Sequence, residues 1–136
     1  MNIYIIDASV ILRWFDREAR ATQHKLNEIL NEQENHAASL HSTSFIILEV
    51  ANGLRYSYKN DIDIEDYLNK FIDLPITLHQ VDSSHMRQIT KLALKLHTTV
   101  YDTSYHFLAH LMGGTFFTCD AEYYKKAHSL GSIELL

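Results

Sequence analysis

Three aspartates stand at the ends of predicted structural elements, where a carboxylate needs a physical reason. Asp7 closes the apolar run Ile3–Ile6, Asp120 follows the stretch Phe116–Cys119, and Asp102 begins a segment of helical periodicity. Desolvating an unpaired charge at the tip of a buried strand is costly. Asp7 is therefore expected to be either paired or used in chemistry.

The ends of parallel strands offer a place where these acids could meet. In parallel α/β sheets, ligands bind outside the carboxyl ends of the strands, at the point where the strand order reverses. If the first and fourth strands are neighbours, Asp7 and Asp120 lie together there. Asp102 has a second interpretation, as an acid in the first turn of a helix that complements the helix dipole.

Glu49 is a fourth acid in an unusual position. It lies inside the apolar run Phe45–Ala51, where a helix face half turned toward the core would ordinarily carry an aliphatic residue. A buried ion pair, for example with Arg55, is the structural alternative to a functional role.

Four carboxylates in one cluster would favour divalent metal chemistry. Such groups repel one another and take up protons unless a cation compensates their charge. Hard oxygen ligands select Mg²⁺ or Mn²⁺ over zinc. A site of this kind can polarise a phosphodiester, produce a metal-bound hydroxide and stabilise the leaving oxygen without a protein nucleophile.

The elements that must position these acids follow an α/β pattern, because short apolar runs alternate with helix-period segments. The pattern predicts a mostly parallel sheet with strands at Asn2–Asp7, Ala37–His41, Ile76–Val81, Thr115–Cys119 and Ile133–Leu135. Five helix faces are predicted to be buried: Ala19/Thr22/Leu26/Ile29/Leu30, Ile47/Val50/Ala51/Leu54/Tyr58, Ile64/Tyr67/Leu68/Phe71, Met86/Ile89/Ala93/Leu96 and Tyr105/Leu108/Ala109/Met112. Pro75 is expected to end one helix, and Gly113 with Gly114 another.

Length and composition are consistent with one domain over residues 1–136. The single Cys119 cannot form an internal disulfide, which suits a reducing compartment, and no apolar run approaches a membrane span. We therefore expect a soluble, cytoplasmic protein. The net charge of −5, from 12 Lys+Arg and 17 Asp+Glu, argues at first against a nucleic-acid partner. If four of the acids bind metal, however, the rest of the chain is close to neutral, so a phosphate-bearing substrate is not excluded.

Four segments, IIDASV, ILEVANGLR, VYDTSYHFLAH and FFTCDAEYYKKAHSLG, occur in this order and together extend over nearly the whole chain. Taken together, they resemble the PIN-domain nucleases and especially the VapC-type ribonuclease toxins. The resemblance implies a three-layer PIN-like domain, with a mostly parallel five-stranded sheet flanked by helices. It also implies that Asp7, Glu49, Asp102 and Asp120 form a catalytic metal site for Mg²⁺ or Mn²⁺. Ser9 and Thr118 would orient Asp7 or a metal-bound water.

The resemblance implies a function as well. VapC-type toxins are metal-dependent endoribonucleases that cut tRNA or another structured RNA by in-line attack of a metal-activated water. A cognate antitoxin blocks them, and they form homodimers. Two alternatives stay open: a housekeeping PIN nuclease in RNA processing, and a non-catalytic metal-dependent binding module like an acidic-pocket receiver. The receiver reading is disfavoured because Asp7 has no acidic neighbour in sequence and no Lys follows an apolar strand.

Several other residues invite functional readings. Arg13 and Arg17 follow Asp7 closely and are candidates for contact with RNA phosphates. His106 and His110 have the i, i+4 spacing of zinc-binding helices, but no Cys or third His lies near them in sequence. A charged stripe at Arg87, Lys91 and Lys95 and the acid Glu122 are read as solvated surface.

Overall fold

A five-stranded, all-parallel sheet forms the centre of the computed structural model, which describes all residues from 1 to 136. The strands are β1 (Asn2–Ile6), β2 (Ala38–Thr43), β3 (Thr77–His79), β4 (Thr115–Thr118) and β5 (Ile133–Leu135), in the order β3-β2-β1-β4-β5. The helices are α1 (Ala8–Trp14), α2 (Arg20–Glu34), α3 (Ile46–Ser57), α4 (Asp61–Ile72), α5 (Met86–Leu96), α6 (Val100–Met112) and α7 (Ala121–Ala127). The predicted α/β class and parallel sheet are confirmed.

Helices cover both faces of the sheet, which gives three layers. On one face, Phe116 of β4 stacks against Tyr105 of α6. Successive strand residues point to opposite faces, so the neighbouring Phe117 faces the other side, where Lys25 of α2 lies over its ring. Ile5, Ile6, Leu40 and Ile46 are fully buried in the core between these layers.

All five predicted strands are present; the last, Ile133–Leu135, has the predicted bounds, and the other four differ by one or two residues at their ends. The second strand continues past the predicted His41 through the polar residues Ser42 and Thr43. Pairing explains this extension, because Thr43 lies opposite His79 of β3 and the Ser42 hydroxyl donates to the carbonyl of Ile6 at 2.7 Å. The buried Ser42 hydroxyl is satisfied in this way, whereas the buried Thr43 hydroxyl has no hydrogen-bond partner.

Two residues assigned to buried helix faces lie at the surface instead. Ile47 is exposed, because α3 turns Ile46, Val50 and Leu54 toward the core. Met86 is exposed because it is the first residue of α5 and follows a short 3₁₀ turn. The other predicted stripes contain apolar residues that α2, α4, α5 and α6 do bury in the core.

The two helix stops lie where the sequence predicts them. Helix α4 ends at Ile72, three residues before Pro75. Helix α6 ends at Met112, and the following residue, Gly113, adopts the left-handed conformation with φ 65°. None of the seven helices combines the length and the apolar character needed to cross a bilayer.

Candidate functional site

The sheet order places Asp7 and Asp120 at the same edge of the sheet, the one formed by the carboxyl ends of the strands. Strands β1 and β4 are parallel neighbours with Ile6 opposite Phe117, so the chain leaves both strands in the same direction. Asp7 follows β1 directly, and Asp120 lies two residues beyond Thr118, the last residue of β4. The expected meeting of the first and fourth strands is confirmed.

Asp7 is buried, and both of its carboxylate oxygens are held. Thr118 donates its hydroxyl to Oδ2 at 2.6 Å, and the Ser9 hydroxyl donates to Oδ1. The backbone N–H of Val10 also donates to Oδ1, at 3.2 Å, so that Asp7 caps the N-terminus of α1. The carboxylate therefore has one orientation, fixed by two hydroxyls and one amide.

The same two hydroxyls connect Asp7 to the turn that carries Asp120. Ser9 Oγ accepts a hydrogen bond from the N–H of Cys119 at 2.9 Å, and Thr118 Oγ1 accepts one from the N–H of Asp120 at 3.1 Å. Asp120 in turn accepts from the N–H of Tyr123 at 3.0 Å and caps α7. Ser9 and Thr118 thus lie where the sequence analysis expected supporting groups.

The two helical acids approach this edge from α3 and α6. Asp102 is half-buried in the first turn of α6, and its N–H is capped by the Thr99 hydroxyl at 3.1 Å. Glu49 is half-buried and accepts a hydrogen bond from the Tyr105 hydroxyl at 2.6 Å. Arg55 is exposed and forms no ion pair, so the alternative of a Glu49–Arg55 pair is wrong.

The electrostatics of the four acids centre on Asp102. Burial raises the pKa of Asp7 to about 6, and the charge of Asp102 adds to the shift while the hydrogen bonds oppose it. Burial also raises the pKa of Glu49, again with a contribution from Asp102. The pKa of Asp102 is raised by burial and then by Asp120. No Lys or Arg neutralises these groups, since the two ion pairs of the chain are Lys25–Glu28 and Lys125–Glu122.

The donor set of this edge fits a hydrated divalent cation rather than a closed metal cage. As the side chains stand, no three His, Cys, Asp or Glu residues lie close enough together to hold one ion. Mg²⁺ typically keeps several of its waters and takes only one or two protein carboxylates. Anionic oxygen ligands without a cationic partner match that preference, whereas structural zinc needs four converging ligands.

The histidine pair of α6 is structural. His106 is fully buried, and its Nε2 must carry a proton because it lies 2.8 Å from the carbonyl oxygen of Gly131. Its Nδ1 then accepts from the Tyr123 hydroxyl at 2.9 Å. Both ring nitrogens are occupied, while His110 is exposed and only stacks on the ring. The zinc alternative is therefore not supported.

The two candidate arginines lie in different surroundings. Burial raises the pKa of the Cys119 thiol, and the charge of Arg13 lowers it while that of Asp7 raises it. Arg17 lines a separate cavity of about 680 Å³ that it shares with Tyr58 and Tyr67 and that contains none of the four acids.

Tyr105 is a residue of the site that sequence reasoning missed. The helical pattern assigned it to the core stripe, and its ring is indeed 1 % exposed. Its hydroxyl nevertheless had to find a partner, because buried Tyr hydroxyls are usually hydrogen-bonded. That requirement, applied to a Tyr one turn after Asp102, was the available signal.

Comparisons with known proteins identify both a matching family and a similar solved structure. The family model described as PIN domain matches residues 4–129. Among solved structures, the chain is similar to the crystal structure of PAE2754 from Pyrobaculum aerophilum, with a TM-score of 0.67 and 20% sequence identity over 97% of this chain and 83% of that one. At this identity the likeness shows the fold alone. A search of curated proteins finds no match.

Proposed function

Because the chain belongs to the PIN-domain family, whose members are generally metal-dependent nucleases, we propose that it is a Mg²⁺- or Mn²⁺-dependent endoribonuclease. The observation that carries the proposal is the set of carboxylates at one edge of the sheet, mutually repelling and without a cationic partner. We propose that residues 1–136 form one such nuclease domain.

The proposed metal ligands are Asp7, Glu49, Asp102 and Asp120. When bound, a divalent cation supplies Lewis-acid polarisation of the phosphodiester and activation of the attacking water. The chain's own contribution is orientation: hydroxyls fix both oxygens of Asp7, and the Tyr105 hydroxyl fixes Glu49. Fixed ligands cost little reorganisation in the transition state. Arg13 and Arg17 are proposed contacts for RNA phosphates.

The proposed biological role is that of a VapC-type toxin acting on tRNA or another structured RNA. Its support is the order and spacing of the four acidic segments, which resemble that class. The role carries with it a cognate antitoxin and a homodimer as proposed partners. Cleavage would leave a 5′-phosphate and a 3′-hydroxyl.

The test is cleavage of bulk tRNA by the purified protein with Mn²⁺, Mg²⁺ or EDTA. We expect discrete fragments with either metal and none with EDTA. Asp7→Asn keeps the shape of the side chain and removes one anionic ligand, so it should abolish cutting. The exposed Asp66 provides the matched control, because Asp66→Asn makes the same chemical change away from the acidic edge and should cut normally. Equal activity of the two variants would contradict the assignment of Asp7.

A further inference from the structure

A polar cavity of about 360 Å³ opens beside two of the four acids. Asp102 and Asp120 contribute to its wall, together with Thr99 from the turn before α6 and Lys126 from α7. Only one of its seven lining residues is apolar, so the cavity suits a charged or strongly hydrated ligand rather than an apolar one.

Lys126 is the one Lys or Arg side chain in this cavity, and it is held in place. Its Nζ donates to the carbonyl oxygen of His97, 2.9 Å away, in the turn between α5 and α6. An ammonium group has three donors, so this bond leaves two of them free. The contact ties the end of this flexible side chain to the turn before α6.

The charge of Lys126 is not neutralised, although two carboxylates share its cavity. Neither Asp102 nor Asp120 lies within ion-pair distance of it. The next residue, Lys125, behaves differently, since it pairs with Glu122 at 3.7 Å on the outer surface of α7. Two adjacent lysines of one helix therefore differ in the feature that matters for binding an anion.

We propose that this cavity is a binding subsite for an RNA phosphodiester next to the one that is cut, with Lys126 donating to a non-bridging oxygen. The proposal rests on the nuclease function argued above. RNA carries a charge at every nucleotide, and the four acids repel each phosphate that is not compensated by metal. A fixed cation at the edge of the acidic cluster offsets that repulsion for the neighbouring phosphate.

The test measures RNA affinity in the Asp7→Asn background, so that bound RNA is not cut. The probe is a fluorescein-labelled, unstructured oligoribonucleotide, followed by anisotropy over a range of salt concentrations. Lys126→Met should weaken binding about tenfold, the order expected for one charge-assisted hydrogen bond. It should also reduce the slope of log K against log salt by about 0.7, the value for one contact to a single strand.

Two further variants separate binding from folding. Lys125→Met removes the same charge from the same helix and should leave affinity and slope unchanged, whereas Lys126→Arg should retain most of the affinity. A purely structural Lys126 would lower the unfolding midpoint of Lys126→Met without changing the salt slope. That result, or equal behaviour of the two Met variants, would overturn the subsite.

The outcomes for the subsite and for the nuclease are distinguishable. If the unaltered protein cuts tRNA but Lys126→Met binds RNA normally, the subsite is wrong and the nuclease stands. If no metal supports cutting but Lys126→Met still loses affinity and salt slope, the subsite stands as an RNA-binding feature and the nuclease is wrong. If the protein does not bind RNA, both are overturned.

Discussion

At Asp7, burial and charge act against each other. The folded carboxyl has a pKa of about 6 against an ordinary value of 3.8. Because the folded state binds the proton more tightly than the unfolded chain, stability falls as pH rises between these values. Above about pH 6 the ionised carboxylate costs about 3 kcal/mol of folding free energy. A bound divalent cation would offset this cost.

We therefore predict that Asp7→Asn stabilises the metal-free protein at alkaline pH. The gain should be as much as about 3 kcal/mol near pH 8 and should nearly vanish at about pH 3, where Asp7 is largely protonated in both states. Asn keeps an acceptor for the α1 cap. Urea unfolding in EDTA at both pH values checks this. A variant less stable than the parent at pH 8 would show that Asp7 is not strained by its charge.

Tyr105 allows a second prediction at the residue scale. The Tyr105 hydroxyl donates a 2.6 Å hydrogen bond to Glu49, and this bond lowers the pKa of Glu49. Tyr105→Phe removes the bond. The variant should bind Mn²⁺ more weakly, with a loss of about 1 kcal/mol in metal binding. Tyr4→Phe is the matched control, because it removes a hydroxyl bonded to Glu32 at 2.9 Å on the α2 side of the sheet. Titration calorimetry of both variants decides; equal Mn²⁺ affinity would remove Glu49 from the site.

At the scale of elements, the turn from α6 into β4 sets where Thr118 and Asp120 lie. Gly113 supplies the left-handed residue of this turn. Gly114 has a different task, because a Cβ added there would lie 2.6 Å from the backbone oxygen of Ile3 and 2.8 Å from its side chain. The close approach of this turn to β1 keeps β4 in register beside it.

Two alanine substitutions in this turn should therefore have unequal effects. Gly113→Ala meets no atom within 4 Å and pays only the left-handed conformation, about 1 kcal/mol. Gly114→Ala must displace the backbone of β1 and should cost more, about 2–4 kcal/mol. Denaturant unfolding of both proteins measures the difference. Equal destabilisation would mean that β1 yields easily at this point.

The elements also show what the sequence could and could not predict. Apolar runs such as Ile3–Ile6 locate the strands because burial on both faces requires them. The polar end of β2 escaped prediction because Ser42 depends on a bond to Ile6, a partner 36 residues away. The burial of His106 was missed for the same reason, since it rests on Tyr123 and Gly131. Asp7, Glu49 and Asp120 stand out because each interrupts or follows an apolar run, whereas Asp102 fits an ordinary first helical turn and joins the set through the family resemblance.

At the scale of the whole molecule, metal binding should be coupled to stability. A cation that binds only the folded state stabilises it by about 2.7 kcal/mol at a hundred times its dissociation constant. We predict that Mn²⁺ raises the unfolding temperature at pH 7.5, and that the rise shrinks as pH falls through about 6 because Asp7 takes up a proton.

Asp102→Asn tests this coupling, because Asp102 lies at the electrostatic centre of the cluster. The variant should lose most of the Mn²⁺-dependent rise seen by differential scanning calorimetry. Asp66→Asn should keep it, since Asp66 is exposed on α4. An unchanged rise in Asp102→Asn would count against the cluster as a metal site.

The hydroxyl contact between Thr118 and Asp7 joins residues 111 positions apart. A contact of that separation requires a long loop to close, and contacts of this kind slow folding. Until β4 docks beside β1, Asp7 has neither the Thr118 hydroxyl nor Asp120 near it. Any nuclease activity of this chain would thus be switched on by completion of the sheet, so a growing or partly unfolded chain would be harmless to the RNA around it.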